Sequence, residues 1–197
     1  MSRIKYTKNE LKKQKESLTR FIRYLPTLLL KKQQLQMEIR KIKIRRNDVQ
    51  KLFDDVNSVL LTWVDVFGEE IDITNIIKIK EIKRDTGNIA GIDIPLFNEV
   101  ILEEAEYDLF ATPLWIDRAI DELKKIIKLK TELDILNIQL NHLSDELRIT
   151  SQRVNLFEKV KIPESRENMR VIKIYLGDQQ TNAVVRGKIA KKKIHKG

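Results

Sequence analysis

From Leu11 to Phe67 the chain carries an apolar residue at steps that alternate between three and four. The positions are Leu11, Gln14, Leu18, Phe21, Leu25, Leu28, Lys32, Leu35, Ile39, Ile42, Arg46, Val49, Phe53, Val56, Leu60, Trp63 and Phe67, and fourteen of the seventeen are apolar. A period of 3.5 residues sustained this long is the signature of a left-handed coiled coil, because it keeps one narrow seam facing a partner helix. A second seam runs through Ile126, Leu129, Leu133, Leu136, Leu140, Leu143, Leu147, Thr150, Val154 and Phe157. The two seams predict two long helices that wrap around each other. At 1.5 Å per residue the first would extend roughly 85 Å, so the expected molecule is an elongated rod.

The rest of the composition agrees with exposed helix surface. Charged residues make up 34% of the 197 residues and aromatic residues 6%, while only six Gly and four Pro are available to interrupt helices. One elongated unit is expected, in three stretches: an N-terminal coiled-coil helix over 1–67, a middle segment over 68–112, and a C-terminal coiled-coil helix with a basic tail over 113–197. The fold class is all-α dominated, a long antiparallel two-helix coiled coil with a short β-hairpin or irregular segment in the middle. If the arms fold back at mid-chain, Phe67 lies near Leu114 and Leu11 near Arg170.

The middle segment changes character at Gly68. Ile77, Ile79 and Ile82 interleave with Lys78, Lys80, Glu81 and Lys83, and Ile92, Ile94 and Leu96 come after the stretch Asp85-Thr86-Gly87-Asn88. Alternating β-branched residues on either side of an Asp/Gly/Asn stretch predict a short hairpin that turns at 85–88, with Pro95 marking its second strand as an edge. Two strands alone are marginal in water, so the hairpin must lie on the coil or on a partner. Asn98 to Phe110, with Glu103, Glu104, Glu106 and Asp108, reads as a short helix or a loop, and Thr112-Pro113 as the start of the returning helix. Ile116, Ala119, Leu123 and Ile126 are out of phase with the second seam and predict a local change of supercoil. Pro26 predicts a kink in the first helix, because the seam resumes in phase beyond it. Pro163 predicts a kink or a helix restart; Gly177 and Gly187 weaken the last helix, and the tail from Lys188 is expected to fray. Gln14, Lys32 and Arg46 either snorkel from the seam or fix its register.

Charge reverses along the chain. Residues 1–60 hold 16 basic and 6 acidic side chains, residues 61–115 hold 4 and 12, and residues 116–197 hold 18 and 11, for net charges of +10, −8 and +7. Both arms are basic and the middle is acidic, which implies different partners at the two ends. The chemistry of catalysis is missing from the sequence. There is no Cys, no Gly-rich phosphate loop, and the two histidines, His142 and His195, lie outside any metal or triad spacing. No catalytic residue, cofactor or metal is expected. Neither a signal-peptide core at the N-terminus nor a run of eighteen apolar residues occurs, so a soluble, cytoplasmic protein is expected.

Four stretches resemble a known family: Leu29-Leu30-Lys31-Lys32-Gln33-Gln34-Leu35, Gly87-Asn88-Ile89-Ala90-Gly91 through Pro95, Arg153-Val154-Asn155-Leu156-Phe157-Glu158 with Ile162-Pro163, and Val185-Arg186-Gly187-Lys188 with the Lys run after it. Their order and spacing on two arms are similar to those of the D subunits of V-type (V/A-type) ATP synthases, across essentially the whole chain. The resemblance implies a single-copy central-stalk or rotor subunit, without catalysis of its own, in an ATPase that couples ATP synthesis or hydrolysis to H⁺ or Na⁺ transport. It implies as partners the small F subunit, the A and B subunits of the catalytic head, and a socket subunit of C/d type on the membrane ring, with the chain peripheral to the membrane. Pro26 and Gly177 with the polar stretch Asp178 to Asn182 depart from the family pattern.

Residue pattern and resemblance together single out candidate partner contacts. Phe67, Ile77, Ile79, Ile82, Ile92, Ile94 and Leu96 are expected to meet the F subunit and the socket, and Lys188, Lys191, Lys192 and Lys193 to meet the head. Two alternatives fit a basic coiled-coil hairpin: a static scaffold, which would self-associate through its seams, and a nucleic-acid binder, against which the acidic middle and the lack of stacking aromatics both argue.

Overall fold

A computed structural model describes residues 4–61, 77–104 and 115–194. Their elements run α1 (Lys8–Leu61), β1 (Ile77–Ile89), β2 (Ile92–Glu104), α2 (Ile116–Asn155), a π-helical turn (Leu156–Lys161) and α3 (Ile162–Ile194). The predicted class holds: long N- and C-terminal helices pair antiparallel, with one two-stranded hairpin between them in sequence. Phe67, Gly68, Thr112, Pro113 and the boundaries near 67 and 112 lie outside the described residues.

α1 begins where Thr7 Oγ1 accepts the Glu10 N–H at 3.2 Å, the capping arrangement that satisfies a free donor of the first turn. It continues through Pro26 without ending. Every described seam position of α1, from Leu11 to Leu60, is buried or half-buried, including Gln14, Lys32 and Arg46. All ten positions of the second seam are covered as well.

The chain divides into two compact units. The central unit spans residues 33–148. Its core joins Leu35, Ile39, Ile42 and Val49 of α1 with Leu133, Leu136, Leu140 and Leu143 of α2, and Ile94 of the hairpin enters the same cluster. Arg45 ties the two helices at the surface, with Nε and Nη2 donating to Glu132 Oε1 at 3.0 and 2.8 Å. A second cluster, of Ile77, Ile116 and Ile120, seats the open end of the hairpin on the first turns of α2. This explains the phase irregularity after Ile116: there α2 packs against strands.

The hairpin differs from the sequence-based expectation in two ways. Each strand has thirteen residues, and the turn is Ala90-Gly91, not 85–88. Both turn residues have positive φ, 53° and 79°, the geometry that matches the twist of a two-residue hairpin. Asn88 sets the turn by side chain: its Oδ1 accepts the Gly91 N–H at 3.0 Å and its Nδ2 donates to Asp93 Oδ1 at 2.7 Å. Gly87, which resembles a turn residue, is a strand residue opposite Ile94, and a Cβ there would come within 2.9 Å of the Leu96 side chain. The stretch from Asn98 to Glu104, expected as a helix or loop, is strand. Two bulges, at Lys80 in β1 and Asn98 in β2, break the alternation from which strand length is read, and because they fall on opposite strands the register is restored after the second.

The terminal unit spans residues 1–32 and 149–197. Tyr6 stacks at a tilt on Tyr175 with ring centroids 5.1 Å apart, Phe21 meets Phe157 at 5.0 Å, and Asn168 Nδ2 donates to Gln14 Oε1 at 3.5 Å. These pairs run antiparallel and bracket Leu11 opposite the neighbourhood of Arg170, as expected. At Pro163 the helix neither stops nor simply kinks. The preceding π turn, in which the Ile162 N–H donates to Phe157 O five residues back, inserts one residue. The inward positions therefore step from Thr150, Val154 and Phe157 to Ile162, Ser165, Met169, Ile172 and Leu176. α3 then runs through Gly177 and Gly187 to Ile194, so the tail up to that residue is helical and not frayed.

Candidate functional site

Two surfaces carry the residues singled out in the sequence. On the hairpin, the candidates share the helix-facing side of the strands but divide by how far the helices cover them. Ile77, Ile92 and Ile94 pack against the chain's own helices, and Ile94 is only 2% exposed. Ile82 is half-buried over α2. Ile79 and Leu96 are open to solvent, 51% and 40% exposed. Phe67 lies outside the described residues.

What holds this surface in place is a buried amide. Gln139, on α2, is nearly covered, and its Nε2 donates to the Pro95 carbonyl at 2.5 Å. A proline in β2 has no N–H for a ladder, but its carbonyl remains an acceptor, so Pro95 serves as the anchor point of the strand. Beside it, Ile79 and Ile82 of β1 form with Ile126, Ile127, Ile135 and Ile138 of α2 an apolar groove of about 290 Å³. Lys83 and Glu99 pair across the strands at 3.5 Å, and Asn98 Nδ2 donates to Asp85 Oδ2 at 3.1 Å, both on the solvent side.

Sequence reasoning missed one further feature of the central unit. Met37, Ile44, Leu52 and Val59 are exposed at steps of seven, eight and seven along α1, away from the seam. That spacing keeps them within one narrow stripe of the helix. The signal was present as a second heptad-like repeat of apolar residues at a position that a two-helix coil leaves polar.

The second surface is the end of α3. Every residue from Gly177 to Ile194 is exposed among the described residues. Lys188, Lys191, Lys192 and Lys193 all lie here, with Arg186, and Asp178 is the sole acid of the stretch. Val184, Val185, Ile189 and Ile194 are exposed too, and at ~100° per residue they fall on all sides of the helix, not along one stripe. Before this stretch, Arg170 binds Glu167 through Nε and Nη2 at 2.9 and 2.7 Å. The hydrogen bond from Arg170 holds the Glu167 carboxyl below its ordinary value, and the same bond raises the guanidinium. No group of three or more His, Cys, Asp or Glu among the described residues is placed to hold a metal, and no described helix is long and apolar enough to cross a membrane.

These features define an antiparallel coiled-coil protein whose distinguishing groups, among the described residues, are two exposed surfaces. A family model described as the ATP synthase D subunit matches residues 10–192. The chain is 50% identical to the V-type ATP synthase D subunit of Borreliella burgdorferi over 200 residues, covering 100% of this chain and 97% of the relative. It is 34% identical to the proteins of the same name from Chlamydia caviae and Chlamydia pneumoniae, covering 98% and 97% of this chain and 94% and 93% of theirs. The chain belongs to the ATP synthase D-subunit family. It is thus a component of a V-type ATP synthase, a complex of ATP synthesis and ion transport, and its partners lie within that complex.

Proposed function

We propose that the chain is the central shaft of the complex, transmitting torque between a catalytic head of A and B subunits and a membrane ring that moves H⁺ or Na⁺. It carries no reaction of its own and is present in one copy. The observation that carries this reading is the end of α3. An uncovered helix with apolar and cationic side chains on every side fits a surrounding collar better than a single flat partner, because one partner would leave half of Val184, Val185, Ile189 and Ile194 in water. Lys188, Lys191, Lys192 and Lys193 face the head in this reading, and their long flexible stems suit contacts that are made and broken as the shaft turns. The paired helices supply stiffness, since two wrapped helices resist bending and twisting better than one.

The hairpin end serves the other partners. The small F subunit and the socket subunit meet the acidic middle segment through Ile79, Leu96 and the region around Phe67, with the α1 stripe at Met37 and Ile44 continuing the contact. Ile77, Ile92 and Ile94 act indirectly by seating the hairpin on its helices.

Native mass spectrometry of the complex purified through a tag on this chain tests the shaft reading. One copy bound to a small partner and a three-plus-three ring of nucleotide-binding subunits supports it; a homo-oligomer of this chain refutes it. Ile79→Glu with Leu96→Glu, substitutions that leave the core intact, should release the small partner or the socket. Charge reversal at the four lysines should loosen coupling between ATP turnover and ion movement, and unchanged coupling would reduce that tail to a solvated end.

A further inference from the structure

The terminal unit concentrates backbone defects at one place. In α1, Pro26 has no N–H, so the Ile22 carbonyl loses its helical donor although the helix continues. In the paired arm, Leu156–Lys161 form the π turn, and Pro163 removes another donor directly after it. The two weakened stretches lie on either side of a single aromatic contact, Phe21 on Phe157, at 5.0 Å. No residue of the π turn is buried, so little side-chain packing compensates for the altered rungs.

The seam next to this contact is also polar. Toward the N-terminus of α1, Gln14 and Ser17 face Ser165 and Asn168 across a hollow of about 470 Å³. The Gln14–Asn168 hydrogen bond across it, at 3.5 Å, is at the outer limit for such a bond. In a two-helix coil, resistance to twist comes from the hydrogen-bonded rungs within each helix and from side chains interlocked along the seam. Both are reduced here, on both helices, over the same few turns.

We propose that this stretch, residues 14–26 of α1 with 156–168, is a torsional joint: a segment where the paired helices bend and twist against each other more readily than in the uniform coil on either side. The joint is a property of the folded chain and stands whether or not the chain turns. In a shaft, it would take up twist between one partner and the other.

Hydrogen exchange of the full-length protein, resolved along α2, the π turn and α3, tests it. In a uniform coil, exchange rises steadily from residue 150 toward the helix end as fraying increases. A joint instead gives a local maximum over residues 157–165, about tenfold faster than residues 150–155 and also faster than residues 169–174. The variant Pro26→Ala, Pro163→Ala restores two backbone donors without adding bulk and should flatten that maximum. Gln14→Leu with Asn168→Leu, which fills the polar layer, should slow exchange over the same residues while leaving 33–49 unchanged. A steady rise in the unsubstituted chain, or a maximum that persists in both variants, overturns the joint. Neither outcome bears on copy number in the complex, so the shaft reading is tested separately.

Discussion

The central and terminal units pair the same two arms of the chain by the same heptad rule, yet they bury them to different degrees. In the central unit Leu35 and Val49 of α1 are enclosed along with Leu133 and Leu143 of α2, while in the terminal unit Leu11, Leu18, Phe21, Leu25 and Leu28 of α1 are all only half-covered, even though Val154, Ile162 and Ile172 of the returning arm are buried. These five terminal seam residues are as apolar as their central counterparts, although polar Gln14 and Ser165 lie among them in the seam. What differs is the number of layers: in the central unit the hairpin places Ile89, Ile92 and Ile94 against the helices, and a third element closes the side that a two-helix coil leaves open. A heptad pattern therefore specifies which face is inward, and a third element adds to how dry the α1 side of that face becomes.

Matched truncations should break this comparison if it is wrong. Leu143→Ala removes a side chain with 0% exposure from the central core and should cost about 4 kcal/mol, through lost transfer energy and a cavity that helices on two sides cannot collapse. Leu18→Ala, at an equivalent seam position in the terminal unit, should cost about 1–2 kcal/mol because its site is already partly wet. Urea unfolding of both variants measures the difference. Equal costs would mean that the hairpin adds no real burial.

Removing the tie of the third layer comes next in size. Gln139→Ala leaves the Pro95 carbonyl without its side-chain donor and opens space beside the hairpin, and should cost about 2 kcal/mol. The loss should show first as faster amide exchange in β2 and only later in the helices. If α1 and α2 loosen together with β2, the hairpin and the coil form one cooperative layer and not two.

Smaller gains sharpen the same contrast between backbone fitted to its place and backbone left free. Ala90 holds a positive φ that costs an ordinary L-residue about 1 kcal/mol, and Ala90→Asn supplies the Asn-Gly pair that such turns favour. It should stabilise the hairpin by about that amount. Gly177→Ala and Gly187→Ala, where nothing lies within 4 Å of an added Cβ, should each raise the helicity of the α3 end by up to about 1 kcal/mol. Circular dichroism reads the second effect; a fall in helicity would show that the stretch is not helical in solution.

The seams were legible in the sequence because a coiled coil is encoded locally, one face at a fixed step. Hence the covered positions could be named from Leu11 to Leu60 and from Ile126 to Phe157, including the polar Gln14, Lys32 and Arg46. The hairpin was legible in kind but not in extent. Asp85-Thr86-Gly87-Asn88 carries the residue types of a turn, whereas the actual turn uses an alanine at positive φ, and Gly87 is there for a close approach by Leu96. Two bulges hid the period of the strands. The π turn left a trace, a step of five between Phe157 and Ile162, that merges with the effect expected of Pro163. Among the candidate contacts, sequence could not separate Ile94 from Ile79, since both face the chain's own helices and what differs is how closely a helix passes over each.

The smallest expected effect concerns the end of the terminal unit, where Glu167 and Arg170 pair in full contact with water. Arg170, mainly through its hydrogen bond, lowers the Glu167 carboxyl, so the folded state holds that proton less tightly than the unfolded chain does. The contribution is therefore complete above the ordinary glutamate range and is lost as pH falls through the lowered folded value. Solvent screening keeps it slight, as for other exposed pairs one turn apart on a helix. Glu167→Gln should leave the melting temperature at neutral pH nearly unchanged and should remove only the small part of acid sensitivity that this carboxyl supplies. Thermal melts of both proteins over the acidic range, set against neutral pH, check the sign: the gap between them should narrow on acidification. A gap that widens would mean that Glu167 is stabilising as the neutral acid, a role that its place beside a guanidinium in open water does not support.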